Sequence, residues 1–536
     1  MKILEELRSW FQAQSDHHRW VFTHKGLWVV LISVLLMLLL KQLLFPVRRS
    51  NLKLPPGPRG LPIIGHLHLL GSLPHQSLLE LANRHGPLFH IHLGSIPTLV
   101  ASSADMAKEF FKIHDLIFAS RPKFIFGKYL AYNYQDMVFA PYDEKYKTLR
   151  RICTMELFTN KRIASFRHHR EEEISFLINF LLDKSRQQKA IVLRHNLFDL
   201  TLNIITRITI SKTFFGPNAT RNNDRVEEFK SILEEYFRVL SLFMIGDYFP
   251  YLKWIDRLGN VRAVKKQAIA QDIVLQRLID ERRQSRLGRH GGTDAAEDFV
   301  DVLLSLSEKD QSAFLKDDII KAVMNNVMEA GSETSAVVLE WSMTELLRHP
   351  LVLERAQQEL DSVVGHDRNV DESDIPELIY LQAIIKEAMR LHPPGPLLIP
   401  HRSTADCVVK GYHIPKNTNL IVNMYAIGRD AKIWENPLQF MPERFLDSSI
   451  DVRGQDFELI PFGSGRRGCP GLTLGLIVVQ MTLARMLHAF NWSPPHGLQP
   501  KDIDVAETFT ISVPRKEPLQ AIPSPRLPMH LYNSNL

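Results

Sequence analysis

Cysteine is scarce in this chain. Three occur in 536 residues, Cys153, Cys407 and Cys469. No C-x-x-C pair is among them and no cysteine–histidine spacing suits zinc, which argues against a structural zinc site or a redox dithiol. A sparse, odd count also argues against a disulfide framework and fits a reducing compartment. At least one cysteine must therefore be judged by reactivity or ligation rather than by pairing. Internal repeats are absent, and so is a convincing nucleotide-binding glycine fingerprint. Neither sign of charge dominates. Lys and Arg number 65 against 59 Asp and Glu, giving a net +6 and a pI near 9.0. So mild an excess carries little weight for nucleic-acid binding, which is not expected here. It fits an acidic protein partner or an anionic membrane surface. With 45% hydrophobic and 23% charged residues, global disorder is excluded.

What is present begins with an apolar run. From Gly26 to Leu40 nearly every residue is apolar, and after Lys41 the run resumes through Val47. Lys41 can snorkel, so the run reaches the roughly 20 residues that cross a bilayer as a helix. A cleaved signal peptide would be shorter and end in small residues. Here Arg48 and Arg49 follow, and then Leu54-Pro55-Pro56-Gly57-Pro58-Arg59-Gly60. Prolines hold that stretch extended, as a stiff hinge. Flanking Lys and Arg residues slightly favour a cytosolic C-terminal body.

The body reads as helix-dominated, with apolar periodicity over Val226–Phe243 and Val264–Leu278. Strand-like runs are expected at Leu88–Leu93, Thr98–Ala101, Val408–Ile414 and Asn419–Val422, the first two joined by a turn over Gly94-Ser95-Ile96-Pro97. Arg282–Glu297 reads as a polar surface loop. The expected class is mainly α with a small β region.

The most informative segment is Phe462-Gly463-Ser464-Gly465-Arg466-Arg467-Gly468-Cys469-Pro470-Gly471. Four glycines let its backbone lie close against a flat ligand. An apolar helical run follows from Leu472, so Cys469 sits just before a helix N-terminus, where free N–H groups favour a thiolate. The segment matches F-x-x-G-x-R-x-C-x-G at every fixed position, the signature of the cytochrome P-450 superfamily, which the chain resembles from the hinge near Leu54 to its C-terminus. The anchor, the hinge and the full cysteine loop are most similar to the plant microsomal, specialised-metabolism clan.

The resemblance implies a P-450 fold with haem b as cofactor and Cys469 as the axial ligand of its iron. It implies that Arg467, Arg150, Tyr146, His401 and Phe462 seat the haem. Tyr146 stands where the family usually has Trp in Trp-x-x-x-Arg, which bears on how the haem is held. Glu387 and Arg390, three apart on a helix, with Arg444 from Met441-Pro442-Glu443-Arg444-Phe445, are implied as structural support. Ala330-Gly331-Ser332-Glu333-Thr334-Ser335 falls inside a helical pattern over Asp318–Leu347. There the resemblance makes Glu333 and Thr334 an acid–alcohol pair relaying protons to dioxygen. Gly331 in mid-helix suggests a local opening, since it costs about 1 kcal/mol relative to Ala.

The implied activity is insertion of one oxygen atom from O2 into an apolar small molecule, with electrons from an NADPH-dependent cytochrome reductase. A phenylpropanoid, flavonoid or terpenoid is expected, with in-chain fatty-acid hydroxylation as the alternative. A hydroperoxide-rearranging relative would lack Thr334. A non-catalytic haem-thiolate sensor or electron carrier would have no use for the Glu333–Thr334 pair. The expected layout is a tail at 1–25, a transmembrane anchor at 26–47, a hinge at 48–62 and a haem-binding catalytic domain at 63–536, on the endoplasmic reticulum membrane and facing the cytosol. Substrate-facing segments are implied near Phe124–Met137, Ser241–Tyr251, Asn325–Ser332, Pro394–Ile399 and Phe509–Ser512.

Overall fold

The computed structural model describes residues 53–216, 223–256, 259–287, 298–309 and 314–533, with a few single positions between 29 and 36. The expected anchor at 26–47 therefore lies almost wholly outside the described residues. Contacts divide the chain into a small unit, residues 1–54 with 410–413, and a main unit comprising the rest. Within the small unit the His413 amide donates to the Lys53 carbonyl at 2.8 Å. All elements labelled below belong to the main unit.

The main unit opens with helix α1 (Pro74–His85), started by a proline at its first position, and a hairpin of β1 (Leu88–Leu93) and β2 (Ile96–Ala101). The hairpin turn is shorter than the sequence suggests. Gly94 takes a positive φ of 61°, so two residues close it, and Pro97 falls inside β2, paired with His92. Proline is tolerated there because the second ladder on β2 starts only at Thr98, where an amide is next needed.

Helices then dominate: α2 (Glu144–Glu156), α3 (Arg167–Ser185), strand β3 (Ile191–Val192), α4 (Leu193–Ile210), α5 (Asn223–Leu240) and α6 (Asn260–Leu287). The end of α6 corrects the loop expected from Arg282. The polar run stays helical because its charges are paired. Arg282 Nε donates to Asp301 Oδ1 at 2.8 Å, Arg283 binds both oxygens of Asp317 at 2.8 and 2.6 Å, and Arg286 reaches Ser305 Oγ at 2.9 Å.

α7 (Asp317–Arg348) is the central helix and packs against α4, α6 and two helices from the C-terminal half, α9 (Ile379–Leu391) and α10 (Leu472–Ala489). Buried on nearly every face, it behaves as a core helix. Three of its buried hydroxyls are satisfied within the helix. Ser332, Ser342 and Thr344 donate to the carbonyls of Met328, Val338 and Glu340 at 2.8, 2.8 and 2.7 Å. α8 (Pro350–Val363) packs against α9 and α10. Strands β4 (His401–Arg402) and β5 (Asn419–Val422) complete a four-stranded sheet ordered β1-β2-β5-β4, with β2 and β5 parallel. A second sheet joins β3 to β6 (Phe490–Ser493) and β7 (Gln520–Pro525) in the order β3-β7-β6. The run expected as one strand over Val408–Ile414 is broken into Cys407–Val409 and Tyr412–Ile414. Lys410 and Gly411 between them take left-handed φ values of 48° and 80°.

Among the described residues, α10 alone is long and apolar enough to cross a bilayer, yet 67% of it is buried inside the protein. It is a core helix.

Candidate active site

The cysteine loop is fixed by its own backbone. The Cys469 amide donates to the Phe462 carbonyl at 2.8 Å, and the Gly468 amide to the Gly465 carbonyl at 3.1 Å. Gly463 and Gly465 both adopt a φ of 68°, and a Cβ on Gly465 would come within 2.6 Å of the Phe111 carbonyl. That position accepts no side chain without movement. From α2, Arg150 Nη2 donates to the Gly468 carbonyl at 2.7 Å. Arg150 and Tyr146 share a face of α2, whose first turn is capped by Asp143 accepting from the Tyr146 amide at 2.8 Å. The Tyr146 hydroxyl reaches the Arg466 carbonyl at 3.3 Å, and its ring lies 3.6 Å from the Arg467 guanidinium carbon. Tyr146 thus seats the loop and Arg467 together.

The three cysteines separate by environment. Cys153 is fully buried in the core, and burial pushes its thiol up to about 12. Cys407 is partly exposed. Cys469 is enclosed by protein, which raises its thiol above the usual range, with the Gly471 amide and the Arg150 charge acting in the opposite direction. Its side chain is nevertheless exposed. Both facts hold together when its free face opens on an internal space. The same applies to α7, where Ala330 and Thr334, one turn apart, are exposed in the middle of a buried helix.

Beside the loop lies a buried cluster of two arginines and a histidine. Arg467 donates to the Ala119 and Ala140 carbonyls at 2.6 and 2.5 Å. Arg121 donates to the Ile399 and Pro400 carbonyls, and its Nε is buried with no partner. His401 Nδ1 donates to the Phe118 carbonyl at 2.7 Å. Burial, then the neighbouring Arg467 charge, bring Arg121 down to about 9. Burial, then Arg121, hold His401 well below the usual histidine range. Among the described residues no carboxylate forms an ion pair with Arg121, Arg150 or Arg467. The buried Asp136 charge supports both Arg121 and Arg467 without forming an ion pair with either, and a ligand bearing carboxylates would offset the positive charge that remains. Arg121 was not singled out from the sequence. Its partners lie about 280 residues away and are backbone carbonyls, so no local spacing announces it.

Behind the site, Glu387 and Arg390 on α9 are both buried and paired twice at 2.7 Å. Arg444 Nε reaches Glu387 Oε1 at 3.1 Å, and the Met441 amide donates to the same oxygen at 2.8 Å. Arg390 also donates to the carbonyls of Gly428, Pro437 and Gln439. A Cβ on Gly428 would stand 2.4 Å from the Arg390 carbonyl. Gly428→Ala is therefore expected to destabilise the protein by about 1–3 kcal/mol. Thermal unfolding checks it, and an unchanged Tm would show that this segment moves freely.

On α7 the sequence expectation needs correcting. The helix runs unbroken through Gly331, and the glycine answers a packing need, since a Cβ there would lie 2.8 Å from the Ile205 side chain of α4. Thr334 Oγ1 donates to the Ala330 carbonyl at 2.6 Å. Glu333 is partly buried and its carboxyl is raised by burial, while Ser512 and Arg194 oppose that shift. The structure also joins several of the segments singled out as substrate-facing. The Ile125 amide donates to Asp247 at 2.9 Å and the Met137 amide to Asn326 at 2.9 Å, while Val513, one residue past Phe509–Ser512, donates its amide to the Pro394 carbonyl at 3.0 Å.

A cytochrome P450 profile matches residues 55–520. The chain belongs to the cytochrome P450 family. Members of this family bind haem through a cysteine thiolate, and the P450 described here has a loop thiol and a cluster of cations suited to carboxylates that fit it. Among curated relatives, "Cytochrome P450 71A1" of Persea americana is 44% identical over 85% of this chain and 91% of its own length. "Flavonoid 3'-monooxygenase" of Petunia hybrida is 40% identical over 94% of this chain and 98% of its own. "Strychnine-11-hydroxylase" of Strychnos nux-vomica is 40% identical over 88% and 91%. A solved zebra fish cytochrome P450 with abiraterone superposes on this P450 with a TM-score of 0.70 and 27% identity, over 85% of this chain and 100% of that one. The mainly helical P450 fold and its placement in the plant clan of monooxygenases follow.

Proposed function

We propose that this P450 inserts one oxygen atom from O2 into an apolar plant metabolite of the phenylpropanoid, flavonoid or terpenoid type. Electrons come from an NADPH-dependent cytochrome reductase. A helix at 26–47 and the hinge at 48–62 hold the catalytic domain, residues 63–536, on the cytosolic face of the endoplasmic reticulum membrane. The observation that carries the reading is the placement of an exposed thiol, Cys469, within a rigid loop beside Arg467 and Arg121, whose buried Nε has no partner. The flavonoid 3'-monooxygenase relative supports the flavonoid part of that class.

When bound, haem supplies the activation of dioxygen. Cys469 would ligate its iron, while Arg121, Arg150, Arg467 and His401 would offset its two carboxylates, with Phe462 and Tyr146 holding the loop in place. His401 can donate to a carboxylate through Nε2 only when protonated, because its Nδ1 hydrogen is committed to the Phe118 carbonyl. A nearby carboxylate favours that state. The Thr334 hydroxyl, exposed on α7, would turn from the Ala330 carbonyl to deliver a proton. Glu333, whose carboxyl burial raises above the usual carboxylate range, would reload it. Glu387, Arg390 and Arg444 stiffen the scaffold behind.

Turnover with reductase, NADPH and a panel of flavonoids, terpenoids and fatty acids tests the reading, since only a monooxygenase couples NADPH consumption to product. In Thr334→Ala, NADPH consumption should continue while product per NADPH falls about tenfold or more. Unchanged coupling would remove Thr334 from the relay.

A further inference from the structure

One buried carboxylate near the cysteine loop has no part in the proposed chemistry. Asp136 has no exposed surface, and it organises the turn that leads towards α2. The Phe139 amide donates to Asp136 Oδ1 at 2.8 Å, and the Val138 and Ala140 amides also bond to the carboxylate. Asn326 of α7 grips the same turn twice. Its Nδ2 donates to Asp136 Oδ2 at 3.2 Å, and its Oδ1 accepts from the Met137 amide at 2.9 Å. The carbonyls of the turn serve Arg467, which donates to Ala140 at 2.5 Å and comes within 3.4 Å of the Met137 oxygen.

The two sets of contacts are linked by the planarity of the peptide group. The Met137 carbonyl and the Val138 amide belong to one rigid unit and point in opposite directions. A carboxylate that draws the amide inward therefore aims the carbonyl towards Arg467. The Ala140 carbonyl belongs to a peptide whose nitrogen is that of Pro141, so this unit offers an acceptor and no donor. A turn alone would be served by a neutral acceptor such as Asn or Ser. A full charge in so dry a position is costly, and burial pushes Asp136 up to about 6 against the pull of the Phe139 amide and Asn326. What offsets that cost is its effect on Arg121 and Arg467, whose charged forms it favours. We infer that Asp136 is a positioning residue for the haem, holding Arg467 through the 136–140 turn in the orientation that meets a haem carboxylate, with Asn326 tying that hold to α7. The inference rests on the haem-seating role given to Arg467 above. One helix then carries both this hold and the hydroxyl of Thr334.

The test is a double-mutant cycle read by haem loss, which needs neither substrate nor reductase. The haem-loaded membrane protein is mixed with excess apomyoglobin, and transfer is followed in the Soret region. The carbon monoxide difference spectrum of the unmodified protein first establishes that its haem is seated. Asp136→Ala should release haem roughly tenfold faster, and Asp136→Asn, which keeps an acceptor for the Phe139 amide, about threefold faster. In an Arg467→Ala background, itself faster than the unmodified protein, both changes should add less than about twofold, because residues that act as one unit are not additive. Equal acceleration in both backgrounds would make Asp136 a structural residue and overturn the inference, and so would no acceleration in either. Should Asp136→Ala fail to fold, Asp136→Asn in the two backgrounds decides alone. Arg467→Ala by itself separates the two readings. If it holds haem as tightly as the unmodified protein, the seating role of Arg467 falls and takes the inference with it. If it loses haem faster while Asp136→Asn does not, the inference alone falls.

Discussion

Cys469→Ala should fold and yet give no thiolate-type Soret band in the reduced, carbon-monoxide difference spectrum, with product formation abolished. The loop does not depend on the sulfur. Its shape comes from the Cys469 amide on the Phe462 carbonyl, the Gly468 amide on the Gly465 carbonyl and Arg150 on the Gly468 carbonyl, and alanine keeps all three. What alanine removes is the thiol on the exposed face. Cys153→Ala is the matched control. That residue is core packing with an inert thiol, so the band should persist, with a stability loss of about 1–3 kcal/mol. A band of normal position and intensity in Cys469→Ala would refute the ligand assignment.

Glu387→Ala should have the largest effect on stability. The carboxylate accepts from Arg390 twice, from Arg444 and from the Met441 amide, and its side chain is fully buried. Removing it strands the Arg390 guanidinium in the interior. Breaking a buried pair in this way costs about 3–5 kcal/mol, a large part of the roughly 5–15 kcal/mol that holds a domain folded. The variant should accumulate poorly and carry little haem per protein. The ratio of haem absorbance to protein and the thermal transition measure both effects. The exposed pair Lys147–Glu144, 2.6 Å apart, is the contrast. Alanine at Glu144 should leave both quantities nearly unchanged. Normal haem content in Glu387→Ala would mean that the three carbonyls around Arg390 suffice.

Local features of this fold were legible in the sequence. A cysteine loop of closely spaced glycines, a Glu and an Arg three apart, and apolar runs such as Leu472–Ala489 all express themselves within a few residues. Readings failed where distant partners decide. Arg282, Arg283 and Arg286 looked like loop residues because Asp301, Asp317 and Ser305, which hold them on α6, come later in the chain. Gly331 suggested an opening, but its reason is Ile205 on another helix. Arg121 gave no signal, since carbonyls carry no side-chain identity. Asp136 fell within a segment marked as substrate-facing, yet its bond to Asn326 and the reach of Arg467 to the same turn show only once α7 and the cysteine loop converge. Proline and glycine also misled at the strands. Pro97 was placed in a turn although β2 tolerates it, and the break at Lys410–Gly411 was read through.

The parallel pairing of β2 with β5 sets a timetable for biosynthesis. Thr98 sits opposite Asn419, and Ala101 opposite Val422, so over three hundred residues must leave the ribosome before that ladder can close. At ~5–20 residues per second this is a wait of roughly a quarter of a minute to a minute. During it the β1–β2 hairpin presents an unpaired edge, a known template for misassociation. The loop around Cys469 emerges later still. The haem pocket of a nascent chain is therefore among the last parts to be completed, and cofactor capture falls late, once the loop around Cys469 has been made.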